Sequence, residues 1–416
     1  MAINKITVDI DEKTYTGWES VEINDDLEQL GNDFTLTTNI PADSTHTVKK
    51  GQAVVISIDG ERRLTGYVDK VEISENADSS QMVVTGRDKT SDFIDSRLSN
   101  KTFTPPIGFE QILVKLLTLV GYEIVSKNSL SKPNGTDLGS SKISIINNYG
   151  TIAGFQTNEG IGFNSSESAY DLIRRLADKR GIIVGTNGDG NITIDKIGAI
   201  SATTILQRVS DDRNSLTNNI INANYNDSMA ERFHEYKIAS KWTTGSIASL
   251  TADEKEKSDD DKNKIDPIGS STAAYSGVVY DLDIRASRKF YAVVSNLNND
   301  LCKDRAKWEL NIRKAKGFTY TCRVAGFRQQ LTSTFNNTQL NLLNPLWEAN
   351  TKVYLVDDRY ELDDEYLIRA VKYKQSNSEG IICELTLINE YSYTHSTFKP
   401  AIKKGKKSTI NAALLV

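Results

Sequence analysis

The chain has 416 residues, a formal net charge of -5 and a pI near 5.5, a balance that argues against a strongly basic nucleic-acid binder. With 38% hydrophobic and 25% charged residues there is enough apolar material for ordinary folded cores, and the length leaves room for about two to four domains. No window approaches the roughly 18 apolar residues of a membrane span, and the opening Met-Ala-Ile-Asn-Lys lacks the basic-then-apolar order of a signal peptide, so no membrane segment or leader is expected.

Residues 1–100 read as β. Ile6, Val8 and Ile10 alternate with polar partners. Val54, Ile56 and Ile58 share one face of a strand that runs into Asp59-Gly60, a turn pair. Leu64 to Ile73 and Met82 to Val84 follow as strands, and short strands at this spacing predict a small barrel or sandwich.

Residues 101–205 change character after Pro105-Pro106. Ile112, Leu113, Leu116, Leu117 and Val120 recur at helical spacing, with Gly121 where a left-handed C-cap would stand. A second helix carries Ala169, Leu172, Ile173 and Leu176 as its apolar stripe, with Asn164 to Glu167 at capping-box spacing and Gly181 at its end. Ile182–Val184 and Ile192–Ile194 predict a strand pair around Asn187-Gly188-Asp189-Gly190. The Ser-, Asn- and Gly-rich stretch 126–162 reads as a long exposed loop.

Residues 206–395 return to β. The charged run 251–264 predicts a solvated loop. A helix over 297–315 places Leu297, Leu301, Trp308 and Ile312 on one side and Gly317 after its end. Phe318, Tyr320, Cys322 and Val324, and later Ile381, Cys383, Leu385 and Leu387, are the inward positions of two amphipathic strands. The Lys-rich tail 396–416 reads as a disordered terminus or as a peptide that docks on a partner through its apolar end. The resulting division is a first β domain over 1–100, an α/β insertion over 101–205, a second β domain over 206–395 and the tail.

Residues that would carry chemistry are missing or misplaced. His46, His234 and His395 are far apart and sit in no metal-ligand pattern. Cys302, Cys322 and Cys383 form no C-x-x-C pair and are odd in number, which fits buried thiols and neither a disulfide framework nor a zinc site. No phosphate-binding P-loop and no G-x-S-x-G nucleophile elbow occurs, and the glycines from Gly185 to Gly190 lie between two strands, where a turn and not a dinucleotide site belongs. The acidic groups Asp259-Asp260-Asp261 and Asp363-Asp364-Glu365 stand in turn-like contexts, without the spacing of a calcium loop or the structured cleft that shifts a catalytic carboxyl. No catalytic residue, cofactor or metal is expected.

One block is more specific. Leu64-Thr65-Gly66-Tyr67-Val68-Asp69, then Val83-Val84-Thr85-Gly86-Arg87-Asp88-Lys89-Thr90, then Asp92-Phe93-Ile94-Asp95 resembles the "L-T-G-Y-V-D … G-R-D-K-T-x-D-L-x-D" segment of baseplate hub proteins from Mu-like contractile-tail phages. Gly17-Trp18-Glu19-Ser20-Val21 resembles the family's early G-W-x-x-V segment. The order continues with Asn218-Asn219-Ile220-Ile221, Trp308 in a helix and Leu346-Trp347 before a strand. The resemblance covers roughly residues 3–390 and leaves 251–264 and the tail unmatched. It implies a β-rich α+β fold with two small β-barrel-like domains, and a structural role without catalysis. It also implies a homotrimeric ring that adapts a sixfold tail tube to a trimeric central spike, contacts with the tube or its initiator and with baseplate wedge proteins, and a place in the virion tail after assembly in the host cytoplasm. Trp18, Gly66, Tyr67, Asp69, Gly86, Arg87, Asp92, Asp95, Trp308 and Trp347 are its signature positions. Gly66 and Gly86 are expected at bends or close backbone approaches. Arg87 is expected to pair with Asp92 or Asp95 and hold the corner. The hub of a non-contractile tail and a tail-associated cell-wall hydrolase are the alternative readings.

Overall fold

The computed structural model describes residues 4–40, 47–76, 80–98, 103–125, 142–155, 161–163, 167–178, 180, 182–210, 218–241, 273–295, 299–329 and 344–389. The expectations for 251–264, for the tail, for Asn164, Gly181 and Leu297, and for His46 and His395 fall outside these residues.

The first half supplies β1 (Ile6–Ile10), β2 (Lys13–Tyr15), β3 (Ser20–Asp26), β4 (Asp33–Asn39), β5 (Ala53–Ile58), β6 (Glu61–Glu75) and β7 (Ser80–Asp88), then the short helix α1 (Ser91–Asp95). The middle supplies α2 (Phe109–Val120), β8 (Glu123–Ile124), β9 (Lys142–Ile143), β10 (Ile145–Asn147), α3 (Ala169–Asp178), β11 (Ile183–Thr186) and β12 (Ile192–Asp195). The last part supplies β13 (Ile200–Ser201), β14 (Leu206–Arg208), β15 (Ile220–Asp227), β16 (Glu235–Lys241), β17 (Ala273–Tyr280), β18 (Lys289–Ser295), α4 (Asn299–Gly317), β19 (Phe318–Ala325), β20 (Thr351–Asp357), β21 (Leu362–Ser376) and β22 (Gly380–Asn389).

The fold is β-rich α+β, as the patterning predicts, but no barrel closes among the described residues. Instead 14 strands form one sheet in the order β15-β19-β22-β21-β3-β4-β7-β6-β5-β1-β2, with β20 on β21 and with β13 and β14 on β20. The joint between the halves is antiparallel, Ser20↔Ser376 to Asp26↔Ala370. One apolar core runs across it, with Ile23, Phe34, Ile56 and Val84 from the first half and Tyr320, Leu355, Tyr373 and Leu385 from the last. Side-chain ties reinforce the joint. Arg328, 4% exposed, reaches Asp59 at 3.0 Å and Glu61 at 2.7 Å across the β5–β6 turn, and Arg63 reaches Glu348 at 2.7 Å. The turn itself uses positive φ at Asp59 (51°) and Gly60 (84°), which matches hairpin twist. All six residues of β5 are buried, so the strand is covered on both faces and not on the single face expected.

The two halves repeat one design. β5-β6-β7 are strands of 6, 15 and 9 residues, and β20-β21-β22 are strands of 7, 15 and 10. The register of the long strand shifts between Val68 and Lys70 in β6 and between Ile368 and Ala370 in β21, so the bulges stand 300 positions apart. β7 pairs β4 and β4 pairs β3; likewise β22 pairs β19 and β19 pairs β15.

The middle segment has its own core. α2 and α3 bury Ile112, Leu113, Leu116, Leu117, Leu172, Ile173 and Leu176 against Val184, Ile192 and Ile194. Gly121 ends α2 at φ 110°, the left-handed C-cap its position predicts. The cap of α3 differs from expectation. Ser168 and Asp171 form the box, with the Asp171 amide donating to the Ser168 hydroxyl at 3.1 Å and the Ser168 amide to the Asp171 carboxylate at 3.0 Å. Glu167 instead accepts from Arg175. Part of the stretch read as a loop is strand: β10 adds in parallel to β12, beside the β11–β12 hairpin.

A third layer is formed by β17-β16-β18 backed by α4. Its apolar helix stripe is Cys302, Ala306 and Leu310 against Tyr236, Ile238 and Tyr275. This corrects the sequence reading. Ile312 is half-exposed, and Trp308 turns to the opposite side, because the i, i+4, i+8 row of smaller residues lets the helix approach the sheet closely.

Candidate assembly surface and the signature block

The signature residues do not converge on one point. They form one group at a strand crossing and a set of anchors, and a second group of residues lies beside the first. The first group is the crossing of β6 and β7. A Cβ on Gly66 would lie 1.9 Å from the Arg87 carbonyl oxygen, and a Cβ on Gly86 would lie 2.0 Å from the Tyr67 carbonyl oxygen and 2.6 Å from the Phe34 ring. Only glycine permits backbones this close on both strands. Asp69 is the extra residue of the β6 bulge. Arg87 clasps it at 2.7 Å through Nε and grips Asp95 at the end of α1 with both terminal nitrogens, at 3.2 and 2.8 Å. Of the two expected partners, Asp95 is engaged and holds its carboxyl below the usual range through these bonds. Asp92 lies outside ion-pair distance, its carboxyl pushed up by burial and by Asp95.

The second group was not legible as a site. Asp88, 1% exposed, accepts hydrogen bonds from the Asn32 amide (3.1 Å), the Thr90 amide (2.9 Å), the Thr90 hydroxyl (2.5 Å) and the Thr186 hydroxyl (2.8 Å). Burial pushes its carboxyl up while the four bonds pull it down. The Thr186 bond fastens the middle segment to the main sheet. Beside it the β11–β12 turn docks on β6. The Gly188 carbonyl accepts from Thr65 at 2.8 Å, and a Cβ on Gly188 would lie 1.9 Å from the Arg62 carbonyl oxygen. The sequence signal was present, since Asp88 lies within the block and Gly188 within the turn, but the partners that join the two segments, Thr186 and Thr65, are 98 and 123 residues away.

The tryptophans are anchors. Trp347, 2% exposed, packs in the main core, and its carbonyl accepts from the Tyr373 hydroxyl. Trp18 lies on the rim of that core near Tyr15. Trp308 lies under the Arg305 guanidinium, 3.7 Å from its carbon to the ring centroid, in a crevice shared with Tyr170, Arg174 and Ile182. It thereby faces the middle segment across that crevice.

A cleft of about 690 Å³ opens between the sheet joint and the middle segment, lined by Asp25, Asp26, Arg63, Asp189, Lys196 and Glu348 among others. Desolvation pushes the Asp25 carboxyl up to about 7, against the attraction of Arg63 and with Glu348 and Asp26 adding to the rise. The group can hold a proton near neutrality, but the neighbouring carboxylate Glu348 is committed to Arg63. Among the described residues no cluster of three or more His, Cys, Asp or Glu side chains could hold a metal, and no helix is long and apolar enough to cross a membrane. His234 turns Nδ1 to the Asp281 and Ile284 carbonyls, a structural contact, and all three cysteines are buried and free.

Residues 5–88 match the model of the N-terminal domain of Mu phage baseplate assembly protein GpP-like, and residues 298–395 match that of the fourth domain of Mu phage baseplate assembly protein GpP. Baseplate hub protein gp44 of Escherichia phage Mu is 24% identical over 394 residues, covering 92% of this chain and 87% of that protein. In structure the chain is similar to the 43 kDa tail protein of prophage MuSo2 from Shewanella oneidensis (TM-score 0.68, 22% identity, 93% of this chain and 98% of that one). It is also similar to a tail protein from Neisseria meningitidis MC58 (TM-score 0.65, 17% identity, 95% and 99%). The fold and these relatives define the class, a structural protein of the phage tail baseplate. Within that class the chain is similar to the Mu-like baseplate hub proteins, its residues 5–88 and 298–395 matching the first and fourth domains of the family.

Proposed function

We propose that the chain is the hub subunit of a contractile tail or tail-like injection particle, a homotrimer that adapts the sixfold tail tube to a threefold central spike. One observation carries the reading. Each chain contains the same strand design twice, so three copies present six quasi-equivalent units, one face with sixfold and one with threefold character. A closed cyclic assembly of this kind joins two different, complementary surfaces head to tail and leaves no strand edge bare. The two halves would act as barrel-like units of the ring, with the segment 101–205 as a peripheral insertion. The partners under this reading are the spike, the tube or its initiator, and the wedge proteins, joined in the host cytoplasm. A ring of this design needs no catalytic group. Native mass spectrometry of the purified chain, alone and with its spike protein, tests the reading. The expected species are a trimer and a trimer-on-trimer complex; a chain that remains monomeric in the presence of spike and tube proteins overturns it.

A further inference from the structure

The internal joint between the halves states what the joint between copies should be. β3 lies on the second half of β21, from Ala370 to Ser376. Its counterpart in the last half is β15, and the counterpart of that β21 segment in the first half is the stretch of β6 from Lys70 to Glu75. Among the described residues both counterparts have one bare edge. β15 ends the strand order of the sheet, and of the described strands only β7 pairs with β6 from Lys70 onward, since β5 stops opposite Tyr67.

Burial reports the same vacancy residue by residue. Val371 and Tyr373 are each 1% exposed beneath β3, whereas their equivalents Val71 and Ile73 are only half-buried. Val21 and Ile23 of β3 are 4% and 1% exposed, whereas their equivalents Ala223 and Tyr225 are half-buried. The polar positions Ser20, Glu22 and Asn24 are half-buried, and Asn222, Asn224 and Asn226 are exposed. Each equivalent position is one step more exposed, as expected where the same joint lacks its partner strand. Val71 and Ile73 on one strand, Ala223 and Tyr225 on the other, and an edge on each without a strand partner among the described residues make each strand a template for the other.

We infer that β15 of one copy adds antiparallel to β6 of the next, in the register of the internal joint. Carrying over Ile23↔Tyr373, Glu22↔Lys374 and Asn24↔Lys372 gives Tyr225 opposite Ile73, Asn224 opposite Ser74 and Asn226 opposite Glu72. The occupant of each bare edge is a second copy of this chain. The inference rests on the trimeric reading above and adds which edges close the ring and in what register.

Oxidative crosslinking of the full chain tests it. The native thiols are buried and give little background. Ser74→Cys with Asn224→Cys, and Glu72→Cys with Asn226→Cys, should each yield covalent dimer and trimer on non-reducing gels, while the offset pair Glu72→Cys with Asn222→Cys should yield several-fold less. Hydrogen exchange on the unsubstituted protein is the companion measurement. Amides in 70–75 and 222–227 should slow at least tenfold between monomeric and assembled samples. A trimer by native mass spectrometry without crosslinks, or with the offset pair reacting best, overturns the inference and leaves the hub reading standing. Protection that appears only on adding tube or spike protein assigns the edges to that partner and also overturns it. A chain that never oligomerises overturns both.

Discussion

At the scale of single residues, sterics outweigh charge in the signature block. Gly66→Ala or Gly86→Ala would drive a methyl group into a backbone oxygen about 2 Å away, where no side chain can yield, and is expected to cost about 3 kcal/mol or more. Arg87→Ala removes three hydrogen bonds, but the arginine is 36% exposed and its partners 40% and 58%, so about 1 kcal/mol or less is expected. Urea unfolding of the three variants should rank them in that order, and an Arg87→Ala loss equal to that of Gly86→Ala would show that the clasp holds the corner. Asp25 sets a pH dependence. Its folded value of about 7 lies above the unfolded 3.8, so its contribution is fully present below pH 3.8 and is lost as pH rises toward 7. At about 1.4 kcal/mol per unit the upper limit is about 4 kcal/mol. Asp25→Asn should therefore flatten the stability profile between pH 4 and 7 and raise the melting temperature at pH 8.

At the scale of elements, what was legible in the sequence is local and what was hidden is distant. Alternation in Tyr320-x-Cys322-x-Val324 and Cys383-x-Leu385-x-Leu387 marks strands whose inward residues are 0–3% exposed. The Gly121 cap and the 187–190 turn were equally readable, because each depends on neighbours in the chain. The cap of α3 differs from expectation because Ser168 and Asp171, in the same stretch of eight residues as Asn164 and Glu167, fill it. The stripe of α4 was misread because a row of Cys302 and Ala306 is a weaker hydropathy signal than Leu301 and Trp308. The repeat at 300 residues escaped because backbone pattern, not sequence, is what recurs: Thr65-Gly66-Tyr67-Val68 stands where the last half has Glu365-Tyr366-Leu367-Ile368. One element-level prediction concerns the docked turn. Gly188→Ala places a methyl group 1.9 Å from the Arg62 carbonyl oxygen and should loosen the middle segment from the sheet. Limited proteolysis and hydrogen exchange should show faster opening at 183–195 with the main-sheet strands unchanged; equal protection in variant and parent would exclude a docking role.

At the scale of the whole molecule, the shared sheet couples the ends of the chain. Val21 and Ile23 are buried by strands more than 300 residues away. A fragment ending near residue 100 would bare that edge of β3 and lose the ties from Arg328 and Glu348. It is expected to melt at least 10 °C below the full chain, or to aggregate. Circular dichroism melts of the fragment and the full chain check this, and matching melting temperatures would show that the first half is independent.

The covalent link between the halves also sets the order of assembly. A ring of six separate units would need five encounters, each penalised by lost translational freedom, before its sixth contact closes it. Here the β3–β21 contact forms within one chain, at an effective concentration fixed by the intervening segments and unaffected by dilution. In the proposed trimer, three of six contacts are then complete when the polypeptide has folded, and assembly needs only the remaining three. Dilution should dismantle such a ring into intact chains, with the β3–β21 contact surviving in each one.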